Sequence, residues 1–263
     1  MAGHSKWANI KHRKGRQDAK RSKMWSKCAR AIIVAAKQGG GDPAANLTLR
    51  YAIDEAKAVN MPKDTIENAV KKGTGELGGE AYEPVVYEGY GPGGAAVMLD
   101  CLTDNKNRTV PEIRKIFEKH GGNLGASGCV AYNFRSKGQL FIAKRPEDED
   151  GDPTGVPTGE TIDEESVMMP AVEAGAEDVI DDGDPDGAWQ VLCDPGDFEA
   201  VRDALRAAKL PIAQASVTMV PDSTIEVTGR DAERFAALLD TLEDHDDVQK
   251  VHTNAELPDE VAA

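Results

Sequence analysis

The sequence predicts an α+β chain of more than one domain that opens with a small helical bundle. Three observations predict it. Before position 75, apolar residues recur at helical spacing in three blocks that glycine and proline separate. Beyond position 80, strand-type and helix-type blocks are mixed, which is α+β layering. Between the two regions, Gly73 to Glu80 is Gly-rich and polar and reads as a linker. A length of 263 residues leaves room for sizeable cores.

Residues 1–15 show no hydrophobic period and read as an arm. From Arg16 to about Gln38, Trp25, Cys28, Ala29, Ile32 and Ala36 fall at i, i+3, i+4, i+7 and i+11, one face of a helix. Gly39-Gly40-Gly41 stops it. Asp42-Pro43 starts a second helix with the stripe Leu49, Ala52, Ile53 and Ala56. Pro62 sits in the first turn of a third, with Ile66, Ala69 and Val70 inward and Gly73 at its end. Val85–Tyr87 and Ala95–Leu102 are strands joined by a glycine-rich turn, Gly89–Gly94. Thr109 and Glu112 form a capping box for a helix to about His120. Residues 129–134 and 139–143 read as a hairpin about Ser136-Lys137-Gly138. The acidic, Gly- and Pro-rich stretch from Pro146 to Gly159 reads as a disordered insert. Helices are expected over 163–175, 197–208 and 231–242. Strands are expected over 189–193, 215–220, 224–228 and 248–257.

Charge is distributed unevenly. Residues 1–30 hold ten Lys or Arg and one acid, Asp18, a net of +9. Up to Gly75, six further cations and five acids bring this to +10, so a chain total of −15 leaves −25 for the remainder. An asymmetry of this kind assigns two electrostatic roles to one chain. At 100° per residue, Arg16, Lys20, Lys23, Lys27 and Arg30 fall within about 40° of one another, opposite the apolar stripe, as a row roughly 20 Å long. The row contains no acid for i,i+4 pairing. Phosphate is the natural counter-charge, and a nucleic acid the natural partner. The arm adds Lys6, Lys11, His12, Arg13 and Lys14 with Trp7 among them. An indole between cations suits stacking on an unpaired base, or simply packs the arm onto the bundle. The loop Asp104–Arg108, with Lys106, Asn107 and Arg108, precedes a helix and offers a secondary anion contact, or else a plain surface turn.

Other chemistry is not encoded by any motif. Gly73–Gly78 matches G-x-G-x-x-G, but it follows a helix and leads to a strand, the reverse of a dinucleotide site. The five histidines are scattered, without HExxH or a serine elbow. Cys28, Cys101, Cys129 and Cys193 form no C-x-x-C and read as small buried residues in a reducing cytosol. The expectation is a non-enzyme with no catalytic residues, metal or cofactor, cytoplasmic, without a membrane partner, and with no oligomer predicted. The basic start imitates a transit peptide.

Several stretches together resemble the YebC family: Met1 to Lys14 (MAGHSKWANIKHRK), Gly39 to Pro43, Tyr87 to Gly94, Asp104 to Thr109, Gly121 to Gly125 and Asp244 to Gln249. The resemblance begins at Met1, which argues against a presequence, and spans nearly the whole chain. It implies three domains: an N-terminal three-helix bundle and two α+β sandwich domains, one inserted into the other. Applied here, these are residues 1–78, residues 80–134 with 222–263, and an insert of 135–221 carrying the acidic loop 147–159. It also implies a DNA-binding transcriptional regulator, or, in other members, a translation factor acting on ribosomes and their RNA. The residues leave both open. A cationic arm with a tryptophan suits irregular RNA. No dimerisation element sets a half-site spacing on DNA, and the acidic remainder repels a duplex unless it points away. An enzyme acting on nucleic acid is a third, more distant reading.

Overall fold

The structure is a computed structural model that describes residues 21–78, 81–145, 161–258 and 261. The described residues divide into two compact units. One comprises 21–132 and 225–255; the other comprises 133–224 with the tail from Glu256.

The first unit opens with α1 (Arg21–Gly39), α2 (Leu47–Ala58) and α3 (Lys63–Gly73). Their shared core is Ile32, Ala35, Ala36, Leu49, Ala52, Ile53, Ala56, Met61, Ile66 and Ala69, with Trp25 and Cys28 packed at its edge. All of these except Ala35 and Met61 are residues that the helical period selects. The second helix starts later than Asp42-Pro43. Its cap is the buried Asn46, whose Oδ1 accepts from the Leu49 amide at 3.1 Å. The Asn46 Nδ2 donates to the carbonyls of Ala35 (2.8 Å) and Gly40 (2.9 Å), satisfying the open end of α1. Asp42 instead closes a local turn by accepting from the Ala44 amide.

The same unit continues with β1 (Glu83–Tyr90), β2 (Ala96–Thr103), α4 (Lys106–Lys119) and β3 (Asn123–Leu124). β1 and β2 form an antiparallel hairpin, Glu83 opposite Thr103 and Tyr90 opposite Ala96. Its turn needs glycine twice over. Gly93 and Gly94 have φ of 74° and 78°, and a side chain at Gly91 would overlap the ring of Phe235. The cap of α4 is Asn105, which accepts from the amides of Asn107 and Arg108, and not Thr109. Thr109 lies buried one turn in, turned towards Thr103.

The second unit runs β4 (Phe134–Ala143), α5 (Glu164–Glu173), β5 (Ala176–Asp181), β6 (Ala188–Cys193), α6 (Phe198–Ala207) and β7 (Ile212–Pro221). Its antiparallel sheet has the order β5-β6-β4-β7, and the chain order is β-α-β-β-α-β, a split βαβ arrangement. In place of the expected hairpin over 129–143, residues 129–133 form a turn and a short 3-10 helix (Ala131–Asn133), and Phe134–Ala143 is one continuous strand paired on both sides. Gly138 lies mid-strand because a Cβ there would sit 2.5 Å from Cys193 Sγ and 2.9 Å from the Phe198 ring, so the glycine admits close packing and makes no turn. Gly138→Ala is therefore expected to cost about 1–3 kcal/mol by overpacking, read as a lower urea midpoint, and Cys193→Ala in the same chain should restore part of it. The strand β5 has no counterpart in the sequence reading.

The first unit is completed by β8 (Ile225–Glu226), α7 (Gly229–Glu243) and β9 (Val248–Thr253), with β10 (Ala255–Glu256) at the junction. The first sheet is ordered β3-β1-β2-β9, so the chain returns after the second unit to finish it. Phe117, Ile113, Phe235, Leu238 and Leu242 of α4 and α7 are fully buried, as are Val97 and Leu99 of β2.

All four cysteines are free thiols. Burial, chiefly, pushes Cys28 and Cys193 up to about 11 and Cys101 up to about 12, so these three are poor nucleophiles. Among the described residues no group of histidines, cysteines and carboxylates is arranged to hold a metal. An acidic turn, Asp181 to Asp186, does surround a cation, but the cation is the ammonium of Lys144. It is 6 % exposed and donates to Asp181, to Asp182 (2.8 Å) and to the Asp184 carbonyl (2.8 Å).

Candidate nucleic-acid interface

Lys6, Trp7, Lys11, His12, Arg13, Lys14, Arg16 and Lys20 lie outside the described residues. The structure places the rest of the row. Lys23, Lys27 and Arg30 follow one another along α1 on the side away from the bundle core, as the helical period requires. Their surroundings are a different matter. Each faces the end of α7 and the turn into β9.

Lys27 is half-buried, and its Nζ donates to the Glu243 carbonyl at 2.6 Å. Burial, the largest influence, pulls its ammonium below the usual lysine value despite nearby Glu243, Asp244 and Asp246. Its partner is one of the carbonyls that a helix leaves open at its C-terminus, where a cation also meets the negative end of the helix dipole. One turn earlier, Lys23 Nζ lies 3.9 Å from Asp246 Oδ1. One turn later, Arg30 donates to the Asp246 carbonyl and lies 3.4 Å from Asp247 Oδ1. The Arg30 guanidinium also stacks over Tyr82, 5.3 Å from the ring centre. Lys250 of β9 reaches Glu55 of α2 at 3.1 Å, a second tie between bundle and sheet.

The centre of this cluster is Asp247, whose side chain is 4 % exposed. It accepts from Thr109 Oγ1 at 2.8 Å and from Arg108 Nη2 at 3.0 Å, both in the first turn of α4. Its own amide donates to His245 Nδ1 at 3.1 Å. Burial pushes the carboxyl up. The bonds from Thr109 and Arg108, with the charges of Arg108 and His245, outweigh this and hold it below the usual carboxylate range. Arg108 is raised further above its already high value by Asp247 and Asp104. One carboxylate thus joins α1, α4 and the turn before β9.

The secondary loop is engaged in the same way. Lys106 pairs with Glu83 at 2.9 Å, and Arg108 with Asp104 at 2.8 Å. The amides of Asn107 and Arg108, which an anion would need, are taken by Asn105. A row without an acid of its own therefore finds its acids more than two hundred residues further on, where no local pattern reveals them. Asp247 and Asn46, two of the buried polar residues that organise this unit, are not singled out as functional by the sequence, although Asp247 falls within the family-like stretch Asp244 to Gln249. Asn46 could have been found as a capping residue directly before an apolar period. Asp247, inside His245-Asp246-Asp247, carries no such signal.

Residues 5–76 match the TACO1/YebC protein N-terminal domain, and residues 82–255 match the TACO1/YebC second and third domain. A probable transcriptional regulatory protein of Thiobacillus denitrificans is 54% identical, over 98% of this chain and 100% of its own length. One from Desulforapulum autotrophicum is 49% identical over 99% and 98%. Among solved structures, a conserved hypothetical protein from Aquifex aeolicus superposes with a TM-score of 0.76 at 44% identity, covering 92% of each chain. Matched along nearly all of its length in both sequence and structure, the chain belongs to the TACO1/YebC family.

Proposed function

We propose that the chain is a non-enzymatic, nucleic-acid-binding regulator of gene expression that works in the cytoplasm. The observation that carries this reading is the charge division: +10 in residues 1–75 against −25 in the rest. The relatives' shared designation as probable transcriptional regulatory proteins supports a regulatory role and favours DNA as the target. No helix among the described residues is long and apolar enough to cross a membrane.

The geometry narrows the contact surface. Lys27 and Arg30 are engaged within the chain, and Lys23 forms only an exposed 3.9 Å ion pair with Asp246, so we assign the main phosphate contacts to the cations before them, Lys6, Lys11, Arg13, Lys14, Arg16 and Lys20, with Lys23 at their edge. A second reading, RNA and translation at the ribosome, is favoured by Trp7, since an indole among cations stacks on unpaired bases.

Fluorescence anisotropy on the full chain tests the reading, using a labelled duplex and a structured RNA of equal length across a salt series. About five phosphate contacts give a slope of log K against log salt of roughly −4.5 on duplex, and a shallower one on single strands. Tighter binding to the duplex selects the DNA reading, and tighter binding to the RNA selects the second. No binding to either at low salt would overturn both.

A further inference from the structure

Helix α5 of the second unit has a face that no described residue covers. Its inward side is conventional: Val167 and Ala171 are fully buried, and Asp163 caps the start by accepting from the Ser166 amide at 2.9 Å. Outward, Met168 is 37 % exposed, Met169 56 % and Val172 55 %. At 100° per residue these three fall within one arc of about 100°, with Glu164, Glu165 and Glu173 among and beside them. Three apolar side chains interleaved with three carboxylates, on ten residues, form a contiguous mixed patch.

The electrostatics of this patch are one-sided. The sequence contains no Lys or Arg between Arg145 and Arg202. Other acids of this unit have cations of their own: Glu177 pairs with Lys137, and Asp181 and Asp182 with Lys144. Among the described residues, Glu164, Glu165 and Glu173 have none. Glu173 also stands in the last turn, where the helix dipole favours a cation and disfavours an acid.

We propose that this face of α5 is a docking surface for a basic, amphipathic segment of another protein, with Met168, Met169 and Val172 taking its apolar anchors and the three glutamates its Lys or Arg. Exposed apolar groups ringed by charge mark protein contacts, and methionine adapts to varied partners. The same charges exclude nucleic acid, an anionic membrane and a symmetric second copy as occupants. Carboxylates repel nucleic-acid phosphate and an anionic membrane surface. A second copy packed symmetrically here would set glutamate against glutamate. The inference is independent of nucleic-acid binding by the N-terminal region.

The test is a titration of the full chain, carrying ¹³C-methyl methionine, with a synthetic helix of leucine anchors flanked by lysines. Saturable shifts confined to the Met168 and Met169 methyls are expected. Met169→Gln with Val172→Gln, which keeps every charge, should weaken binding by roughly tenfold or more, as expected for two apolar side chains left unburied. Glu164→Gln with Glu165→Gln and Glu173→Gln should weaken it and flatten its salt dependence. Equal binding by the Met169/Val172 variant, or no saturation at Met168 and Met169, would overturn the proposal. Equal or tighter binding at these methyls by a peptide of this chain's residues 1–20 would also overturn it, by assigning the surface to the protein's own arm.

Discussion

Asp247→Ala is expected to lower the unfolding free energy by about 2 kcal/mol, the cost of removing a buried charged acceptor from its donors. The cost is no larger because Arg108 is 45 % exposed and water recovers part of its charge. Thr109 and Arg108 lose a buried acceptor, and Arg30 loses one of its ties to the turn after α7. Asp247→Asn keeps an acceptor but not the charge and should cost about 1–2 kcal/mol. The pH dependence has a definite sign. The folded carboxyl titrates below its unfolded value of 3.8, so its stabilisation is present above about pH 4 and is lost as pH falls through the folded value. Urea unfolding between about pH 3 and pH 7 should therefore show wild type and Asp247→Ala converging at the acid end. A constant gap across that range would mean that the carboxylate's charge contributes nothing.

The second large effect separates the cations of the arm and the start of the row from those at the end of the row. Replacing Lys11, Arg13, Lys14 and Arg16 by Gln should leave stability unchanged, reduce the salt slope by roughly 3–4, and lower affinity about a hundredfold at moderate salt. Lys27→Gln should do the opposite. It removes a charge-assisted bond to the Glu243 carbonyl and should cost about 1–2 kcal/mol of stability with little change in the salt slope. A reversal of Lys20, Lys23 and Lys27 to Glu mixes the two effects, because Lys23 and Lys27 also hold the bundle against the end of α7. Measuring stability and affinity on the same variants distinguishes them. Equal loss of salt slope from both sets would return Lys27 to the nucleic-acid surface.

These contrasts show what the chain's local patterns do and do not carry. The bundle was legible because its helices present one apolar face each, and the 3.6-residue period picks out Leu49, Ala52, Ile53 and Ala56 without tertiary knowledge. The direction of the cationic row was legible for the same reason. Its partner was not, since Glu243, Asp246 and Asp247 are brought to it only by the return of the chain through α7 and β9. In the second unit, Gly138 reads as a turn by composition, and only the proximity of Cys193 and Phe198 explains it as a packing glycine. β5 escapes because it is an edge strand with few apolar side chains, Val179 and Ile180 among acids. The nesting of one α+β region within another came from the family resemblance alone. Non-local pairing leaves no mark on a local window.

The measurement that bears most directly on the central reading is ultraviolet crosslinking in living cells, with sequencing of the DNA or RNA recovered on the full chain. The Lys11/Arg13/Lys14/Arg16 variant serves as the control. The account predicts nucleic acid recovered on the wild type and lost on the variant, as discrete promoter DNA if the role is transcriptional and as ribosomal RNA if it is translational. Equal recovery on both chains, or none on either, would contradict it.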